Sequence, residues 1–268
     1  MNLTSVSGVR EWCIANGFHP NRVMGQNFLV DRNVLTAIVD AGLEGAGEGD
    51  VLEVGPGLGV MTEELLRRGR AVTAIEKDGV LAGRLAEAMD SPAALSVIEG
   101  DALDVLHDVL AGRSFAAMVS NLPYQAGTRI LLEVVQTRAL PTITVLVQSE
   151  VADRLAAGEG SKTRGLAGVW AQLDYDVKVV RKVSAQCFWP RPEIGSSVVK
   201  LVRHDRNIAF TEEERAVFRR ITKQAFEHRR KQLGSIFRGF LESTARAEEL
   251  SNEEWTALAR QFLISQSE

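Results

Sequence analysis

A chain of 268 residues with 45% hydrophobic and 25% charged side chains has the composition of a folded globular protein. It is long enough to bury a stable hydrophobic core without disulfide bonds or a structural metal ion. The net charge of -4 does not by itself indicate a nucleic-acid-binding protein. Its two cysteines, Cys13 and Cys187, lie far apart and form no CxxC pair, so the sequence predicts neither a disulfide framework nor a zinc site.

The first thirty residues contain Arg10, Glu11 and Arg22 and no long apolar run, so they do not resemble a secretion signal. No segment of the sequence is apolar over the length that a membrane-spanning helix needs. We therefore expect a cytoplasmic protein in a reducing compartment, with no metal ion and no membrane contact. The sequence leaves the oligomeric state open, with a monomer as the default expectation.

Short runs of Val, Ile, Leu and Ala alternate with amphipathic segments along most of the chain, which predicts a mostly parallel sheet in a Rossmann-like α/β fold. The candidate strands are residues 50–55, 71–76, 95–101, 115–120, 142–148, 176–183 and 196–202. The candidate helices between them are residues 31–43, 60–69, 79–90, 126–137, 149–157 and 165–173. The last two strands leave no room for a helix, so we expect them to pair antiparallel at one edge of the sheet.

After His204 the strand pattern stops and apolar residues recur with helical spacing. The segments 211–241 and 251–263 each begin with Ser or Thr followed by acidic residues, as the N-terminus of a helix does. The sequence therefore predicts two domains, an α/β domain over residues 1–204 and a small all-helical domain over residues 205–268.

The helical region carries a local excess of positive charge. From Arg215 to Arg238 there are eight basic residues and one acid, Glu227. Such a run is usually a solvated face, and it indicates a phosphate-contacting surface only if the rest of the chain calls for a nucleic-acid substrate. On that condition, the candidate phosphate-contacting residues are Arg220, Lys223, Arg229, Arg230 and Lys231.

The sequence LEVGPGLG, residues 52–59, lies between a candidate strand and a candidate helix. Its glycines allow a tight turn and a close approach of the backbone to a ligand. Glu76 ends the next strand, where doubly wound folds place the acid that binds ribose hydroxyls. Asp101 ends the third strand, where it can accept from an adenine amino group. Each acid alone is more often a solvated or capping residue, but three strand ends together predict a nucleoside site.

The glycine spacing is not that of an NAD-binding enzyme. The Gly-x-Gly-x-Gly pattern ends at Gly59 without the Gly-x-Gly-x-x-Gly continuation that binds a pyrophosphate at the start of a helix. A nucleoside without phosphates is therefore the better prediction, and this indicates S-adenosylmethionine.

The sequence SNLPY, residues 120–124, ends the fourth candidate strand beside this nucleoside site. By itself it reads as a strand followed by a turn. Beside a nucleoside, the side-chain carbonyl of Asn121 and the backbone carbonyl of Leu122 can both accept hydrogen bonds from one exocyclic amino group. Two acceptors aligned with the nitrogen as it becomes pyramidal favour the transition state over the planar ground state. Tyr124 can stack on the same base, so the motif predicts a cradle for a planar amine.

Eight sequence blocks occur in order along the chain: GQNFL (25–29), LEVGPGLG (52–59), AIEKD (74–78), GDALD (100–104), NLPY (121–124), VQSEVADRL (147–155), FWPRPEIGSSVVKL (188–201) and FEHRRKQL (226–233). Together they resemble the KsgA family of rRNA adenine N6,N6-dimethyltransferases over nearly the whole chain. The resemblance implies a class I methyltransferase fold and S-adenosylmethionine-dependent dimethylation of adenine in small-subunit rRNA during ribosome assembly. The implied partner is small-subunit rRNA or a pre-ribosomal particle, contacted by the helical domain.

The resemblance also implies roles for individual residues. Phe188, on residue grounds only a core aromatic, would face Tyr124 across an adenine flipped out of its RNA helix. The catalytic set is Asn121, Leu122, Tyr124 and Phe188. The set expected to bind S-adenosylmethionine is Gln26, Asn27, Leu29, Glu53, Gly55, Gly57, Glu76, Lys77, Asp101, Ala102 and Asn121.

The chain departs from the family pattern at residues 125–128, which follow NLPY, at Ser149, where the family often has Lys, and at Gln232, where it usually has Thr. Alternative functions stay open. The Erm group methylates adenine in large-subunit rRNA, but it usually has Ile in place of Leu122. DNA adenine and protein glutamine methyltransferases use a similar cradle of Asn or Asp, Pro, Pro and Tyr, and Leu122 argues against both. The intact Asn121 argues against an RNA-binding assembly factor with weak methylation, and the basic run argues against a small-molecule methyltransferase.

Overall fold

A computed structural model of the protein describes residues 2–21, 24–88 and 93–265. The chain forms two compact units, unit 1 from Met1–Ala152 with Lys178–Arg203, and unit 2 from Asp153–Val177 with His204–Glu268. Residues 153–177 were predicted to belong to the first domain, whereas they form part of unit 2 in the structure. Val169 and Leu173 explain this difference, because both are buried in one apolar cluster with Phe218 and Trp255.

The helices of the described residues are α1 (Val6–Ala15), α2 (Arg32–Leu43), α3 (Val60–Arg67), α4 (Gly79–Ala88), α5 (Ala102–Gly112), α6 (Gly127–Thr137), α7 (Ser149–Ala156), α8 (Leu166–Gln172), α9 (Glu212–Glu227), α10 (Leu233–Ile236) and α11 (Asn252–Ser265). The strands are β1 (Phe28–Leu29), β2 (Val51–Val54), β3 (Val72–Glu76), β4 (Leu95–Glu99), β5 (Ala117–Asn121), β6 (Thr142–Gln148), β7 (Tyr175–Val183), β8 (Phe188–Trp189) and β9 (Ser196–Arg203). Each predicted strand and helix has a counterpart here, and residues 89 and 90 of the candidate helix 79–90 lie outside the described residues.

Seven strands form one sheet in the order β4-β3-β2-β5-β6-β9-β7. Parallel pairing joins β2 to both β3 and β5, β3 to β4, and β5 to β6, which confirms the predicted mostly parallel sheet. The next strand, β9, pairs antiparallel with β6. β7 and β9 are neighbours at one edge of the sheet, as expected for strands with no helix between them. All four residues of β2 are buried, which is typical of a parallel strand covered on both faces.

Helix α2 shows how the sequence pattern produces one layer of this unit. Its N-cap, Asp31, accepts a hydrogen bond from the backbone N–H of Val34 at 2.9 Å. Val34, Leu35 and Ile38 are buried on one face of the helix, at the spacing that places side chains together over successive turns. Burial of this face against the sheet stabilises both elements.

Helix α5, helix α1 and the pairing of β1 with β8 were absent from the sequence-based expectations. Helix α1 begins after Ser5, whose hydroxyl accepts a hydrogen bond from the backbone N–H of Gly8. The two-residue strands β1 and β8 pair antiparallel, with Phe28 opposite Trp189 and Leu29 opposite Phe188. Strands of two residues carry no periodicity, so only the tertiary structure reveals this pairing.

Unit 2 is helical after His204 in its described residues, as predicted. Thr211 and Glu214 form a capping box at the start of α9, with side-chain to backbone hydrogen bonds in both directions. The helical spacing of the sequence predicted one run through residues 211–241, but α9 ends at Glu227. A turn at residues 228–232 separates it from α10.

A buried ion pair lies inside unit 2. The guanidinium group of Arg215 donates hydrogen bonds to both carboxylate oxygens of Asp174, at 2.6 and 2.9 Å. The side chain of Arg215 is 3% exposed and also donates to the backbone carbonyls of Phe210 and Asn207. Arg215 is therefore not part of the basic surface, although the sequence analysis counted it in the basic run.

We expect Asp174→Ala to lower the free energy of unfolding by about 3 kcal/mol, because it leaves the buried Arg215 charge without its carboxylate. The matched control is Asp176→Ala, which removes an exposed carboxylate that pairs with the exposed Arg206. The control should lower the free energy of unfolding by less than about 1 kcal/mol. Urea unfolding followed by circular dichroism measures both, and equal losses would contradict the assignment.

Candidate active site

Unit 1 contains a cavity of about 350 Å³ at the carboxyl ends of β2, β3 and β5. Open α/β sheets bind ligands at this edge because parallel strands all end there. Its lining includes every residue predicted to bind S-adenosylmethionine, together with Leu122 and Tyr124 of the catalytic set. The structure therefore brings these residues together, while their contacts with a ligand stay a prediction.

The loop from β2 to α3 follows the glycine pattern. Gly55, Gly57 and Gly59 have φ values of 71°, 58° and 81°, in the left-handed region that side chains disfavour. A Cβ atom at Gly57 would lie 3.2 Å from the ring of Phe28, which also lines the cavity. The loop thus needs glycine both for its turn and for its close approach to the cavity wall.

Glu76, the last residue of β3, is fixed by the backbone around it. Its carboxylate accepts hydrogen bonds from the N–H of Gly57 at 3.0 Å and from the N–H of Asp78 at 2.9 Å. Burial raises the pKa of Glu76 above its ordinary value. Gln26 in turn donates to the carboxylate of Asp78 at 2.8 Å, which ties the segment before β1 to the end of β3.

Asp101 combines a capping role with its place in the cavity wall. One carboxylate oxygen accepts a hydrogen bond from the N–H of Leu103 at the start of α5, at 3.0 Å. The other lies 2.7 Å from the ammonium group of Lys77, whose hydrogen bond lowers the pKa of the Asp101 carboxyl. Lys77 and Asp101 both line the cavity, so the ion pair holds the Asp101 carboxylate in the cavity wall.

The amide of Asn121 is oriented by the segment before β1. Its Nδ2 donates to the backbone carbonyl of Asn27 at 3.3 Å, and the amide of Asn27 donates to the carbonyl of Gly25 at 3.0 Å. Because the amide nitrogen of Asn121 has this partner, its Oδ1 is the end that can accept from a ligand. Leu122 is buried, and its backbone N–H donates a hydrogen bond to the backbone carbonyl of Leu146 in β6.

Gly127, one of the departures from the family pattern, has a packing role. Its N–H donates to the carbonyl of Pro123 at 2.7 Å, which closes the turn after β5. A Cβ atom at this position would lie 3.0 Å from the Cβ of Leu122. Glycine therefore lets α6 begin close to the backbone that carries Leu122 and Tyr124.

Phe188 has a different environment from Tyr124. It is 2% exposed, belongs to the apolar core of unit 1 and pairs with Leu29 through β8 and β1. It is not among the described residues that line the cavity. A role opposite Tyr124 across an adenine stays a prediction.

Several residues of the site were not predicted from the sequence. Asp78, inside the AIEKD block, positions Gln26, and the apolar wall includes Phe28, Met61 and Ile75. Ser196 of β9 was also missed, although its hydroxyl lies 2.5 Å from the hydroxyl of Tyr124. The GSSVVKL sequence gave no sign of this contact, since it joins residues 72 positions apart.

The five candidate RNA-binding residues of unit 2 fall into two groups. Arg220 and Lys223 are exposed on α9, and Arg230 and Lys231 are exposed in the turn that follows it. Arg229 is partly buried, donates to the backbone carbonyl of residue 162 at 2.6 Å and lies 3.4 Å from the carboxylate of Glu248. Four of the five are thus available on the surface, while Arg229 also supports the fold of unit 2.

No group of three or more His, Cys, Asp or Glu side chains that could hold a metal ion occurs within the part of the chain that the structure describes. Over residues 2–21, 24–88 and 93–265, every helix is too short or too polar to span a bilayer. Both cysteines are free thiols.

Glu53 is a buried acid in the wall of the cavity. It lies in the middle of β2, is 1% exposed and accepts a hydrogen bond from the hydroxyl of Thr62 at 2.6 Å. Burial raises its pKa to about 8, and the nearby Glu76 adds to the rise. The folded protein therefore holds a proton on Glu53 at neutral pH.

Two sequence comparisons place the chain among known proteins. The model of a family described as ribosomal RNA adenine dimethylase matches residues 17–257. A ribosomal RNA small subunit methyltransferase A from Streptomyces coelicolor is 38% identical over 252 residues, which are 92% of this chain and 87% of that protein.

Two solved structures share the fold. A dimethyladenosine transferase from Plasmodium falciparum has a TM-score of 0.76 and 20% identity, covering 89% of this chain and 98% of that one. The 23S rRNA methyltransferase ErmE has a TM-score of 0.66 and 24% identity, covering 88% and 99%. At such identities the likeness concerns the fold alone, and it confirms the predicted class I methyltransferase architecture.

Glu53→Gln tests the protonation of the buried acid. Between the ordinary pKa of 4.5 and about 8, the folded state keeps a proton that the unfolded state releases, so this group makes wild-type stability fall as pH rises. The variant has no titratable group at this position, and its amide oxygen can still accept a hydrogen bond from Thr62. As pH rises across this window, the free energy of unfolding of the variant should therefore increase relative to that of the wild type, by up to about 1.4 kcal/mol per pH unit.

Urea unfolding at several pH values measures the difference. Glu63→Gln, at an exposed position of α3, is the control and should follow the wild-type curve. If the curves of Glu53→Gln and wild type run parallel, Glu53 is ionised in the folded protein.

Proposed function

Since this chain belongs to the ribosomal RNA adenine dimethylase family, we propose that its cavity binds S-adenosylmethionine and that it dimethylates adenine N6 in small-subunit rRNA during ribosome assembly. The chain is thus an enzyme, an rRNA adenine methyltransferase. The observation that carries the proposal is the convergence of the glycine loop, Glu76, Asp101 and Asn121 on one cavity.

The residues present fit S-adenosylmethionine. The left-handed glycines leave space for a ligand against the backbone, and a Cβ atom at Gly57 would narrow it. Glu76 offers carboxylate oxygens for ribose hydroxyls at the end of β3, and Asp101 offers one for an adenine amino group at the start of α5. The segment from residue 52 to residue 59 contains no Lys or Arg to pair with phosphates, which suits a nucleoside without them.

When bound, S-adenosylmethionine supplies an activated methyl group. The task of the protein is then to present a poorly nucleophilic amine, whose lone pair is delocalised into the adenine ring. Asn121 Oδ1 and the carbonyl of Leu122 accept the two N–H groups as the nitrogen becomes pyramidal, which favours the transition state over the planar amine. No strong base is required, because the amine proton becomes acidic only after the methyl group has been transferred.

The small subunit is the preferred substrate on two grounds. The curated relative from Streptomyces coelicolor is named as a small-subunit enzyme, and it matches this chain over most of its length. Leu122 also departs from the Ile that Erm enzymes usually have at this place. The exposed basic residues of unit 2 supply the charge that contacts with rRNA phosphates require.

Mass spectrometry of rRNA from cells that lack this protein tests the proposal. We expect dimethyladenosine near the 3' end of small-subunit rRNA to disappear and to return when the gene is restored. Loss from large-subunit rRNA instead would favour an Erm-like activity. Unchanged modification in both subunits, together with no cofactor binding in calorimetry, would favour an assembly factor without methylation.

Glu76→Ala should weaken binding of S-adenosylmethionine by about 1 to 3 kcal/mol, because ribose hydroxyls lose their acceptor in a closed site. The matched control is Glu99→Ala, at the residue that pairs with Glu76 in the adjacent strand but is exposed and does not line the cavity. Isothermal titration calorimetry measures both affinities. Native affinity in Glu76→Ala, with the fold intact by circular dichroism, would contradict the placement of the ribose.

Changing Arg230 and Lys231 together to Ala should weaken binding to pre-ribosomal particles without altering cofactor affinity. If each contacts a phosphate, the slope of log affinity against log salt should fall by about one to two. Arg229 is left intact because it supports unit 2. The control is Arg84→Ala combined with Arg206→Ala, which removes two exposed positive charges at other positions. If the slope changes equally in the control, Arg230 and Lys231 are solvated surface residues without a specific phosphate contact.

A further inference from the structure

Tyr124 and Ser196 form a short hydrogen bond between distant parts of unit 1. Their hydroxyl oxygens are 2.5 Å apart and belong to residues separated by 72 positions. Tyr124 lines the cavity directly after β5, whereas Ser196 is the first residue of β9 and is fully buried. Nothing in the cofactor site or in the amine cradle described above uses this bond.

Ser196 is held in a rigid position by the sheet. It pairs with Gln148, the last residue of β6, in the antiparallel ladder. β6 also pairs with β5 on its other side, where Asn121 lies opposite Leu146. The hydroxyl of Ser196 is therefore a fixed point relative to the strand that leads into Tyr124.

The backbone of Tyr124 does not by itself fix the orientation of its ring. The turn is closed by hydrogen bonds from Ala126 and Gly127 to the carbonyl of Pro123, which set the main chain. The side-chain torsions of Tyr124 still allow several staggered orientations, and the ring is only partly buried. A hydrogen bond at the far end of the ring removes this freedom before a substrate arrives.

The bond is one between two neutral groups. Burial raises the pKa of Tyr124, so its phenol keeps its proton at neutral pH. Either hydroxyl can donate, and the side-chain atoms of both residues offer one O–H and acceptor lone pairs. The bond therefore orients the ring without placing a charge beside the base.

We propose that Ser196 is a positioning residue whose hydroxyl holds the Tyr124 ring in the orientation that stacks on the target adenine. This inference rests on the proposed function, because the ring acts on a base only if the enzyme methylates one. Among the described residues, the antiparallel strand β9 contributes none to the lining of the cavity. Its role would be to orient the Tyr124 ring through Ser196.

Ser197 provides a matched control for Ser196. Ser197 is the next residue of β9 and is also fully buried, but its hydroxyl lies 3.1 Å from that of Ser149. Neighbouring residues of a strand point to opposite faces, so Ser197 bonds away from Tyr124. Ser196→Ala and Ser197→Ala thus remove the same atom from adjacent buried positions with different partners.

NMR tests the orientation of the ring independently of activity. The protein has two tyrosines, Tyr124 and the fully buried Tyr175, so ring-labelled [13C]tyrosine gives two assignable sets of signals. Ser196→Ala should shift and broaden the Tyr124 signals and leave those of Tyr175 unchanged, while Ser197→Ala should change neither. Identical Tyr124 signals in Ser196→Ala and wild type would overturn the proposal.

Kinetics on assembling small subunits test the consequence. Ser196→Ala and Tyr124→Phe each delete one hydroxyl of the same bond, so each should lower methyl transfer about threefold to tenfold. The double variant should lose no more than either single one, because one bond is lost in all three. The decrease should appear in kcat rather than KM, since phosphate contacts dominate RNA affinity. Ser197→Ala should stay at the wild-type rate.

Cofactor affinity, measured by calorimetry, should stay within about twofold of wild type in every variant. Full activity of Ser196→Ala, or losses that multiply in the double variant, would overturn the positioning role while the proposed function stands. If Ser196→Ala does not fold, Tyr124→Phe decides the matter, and its full activity would overturn the role. A wild-type protein that transfers no methyl group would overturn the proposed function and the positioning role together.

Discussion

The parallel alignment of β2, β3 and β5 is the constraint on which the site depends. Strands that pair in parallel end at the same edge, so residues that follow them in sequence become neighbours in space. Gly55, Glu76 and Asn121 belong to three separate segments, yet all three line one cavity. The hydrogen bond from the N–H of Gly57 to Glu76 shows how closely two of these strand ends meet.

The two units treat buried charge in different ways. In unit 2, Arg215 and Asp174 neutralise one another, so the pair satisfies its own hydrogen bonds within the core. In unit 1, Glu53 and Glu76 both lie buried in the cavity wall, and burial raises the pKa of each carboxyl above its ordinary value. Buried acids with raised pKa values in the wall of a cavity are typical of a functional site.

The cofactor and the target adenine would bind at different parts of the sheet. The parallel strands and their loops would hold S-adenosylmethionine, while the turn after β5 presents the amine acceptors and the Tyr124 ring. Ser196 would connect that ring to the antiparallel strand β9, whose register with β6 sets its position. Such preorganisation suits a reaction in which the enzyme mainly orients two reactants.

Sequence patterns alone determined a large part of this protein. Runs of β-branched residues and helical spacing located the seven strands of the large sheet and most of the helices, because local periodicity reflects which side of an element is buried. The glycine loop and the acids at strand ends predicted one part of the cavity lining, since doubly wound folds bring successive strand ends to one edge. The order of eight blocks predicted the family that the comparisons then established.

Tertiary structure decided what depends on contacts between distant segments. It paired β1 with β8, placed Asp153–Val177 in unit 2 and joined Ser196 to Tyr124. It also buried Arg215, which the sequence shows only as one charge in a basic run. None of these features has a local signature, because a residue's burial and partner depend on which distant segment packs against it.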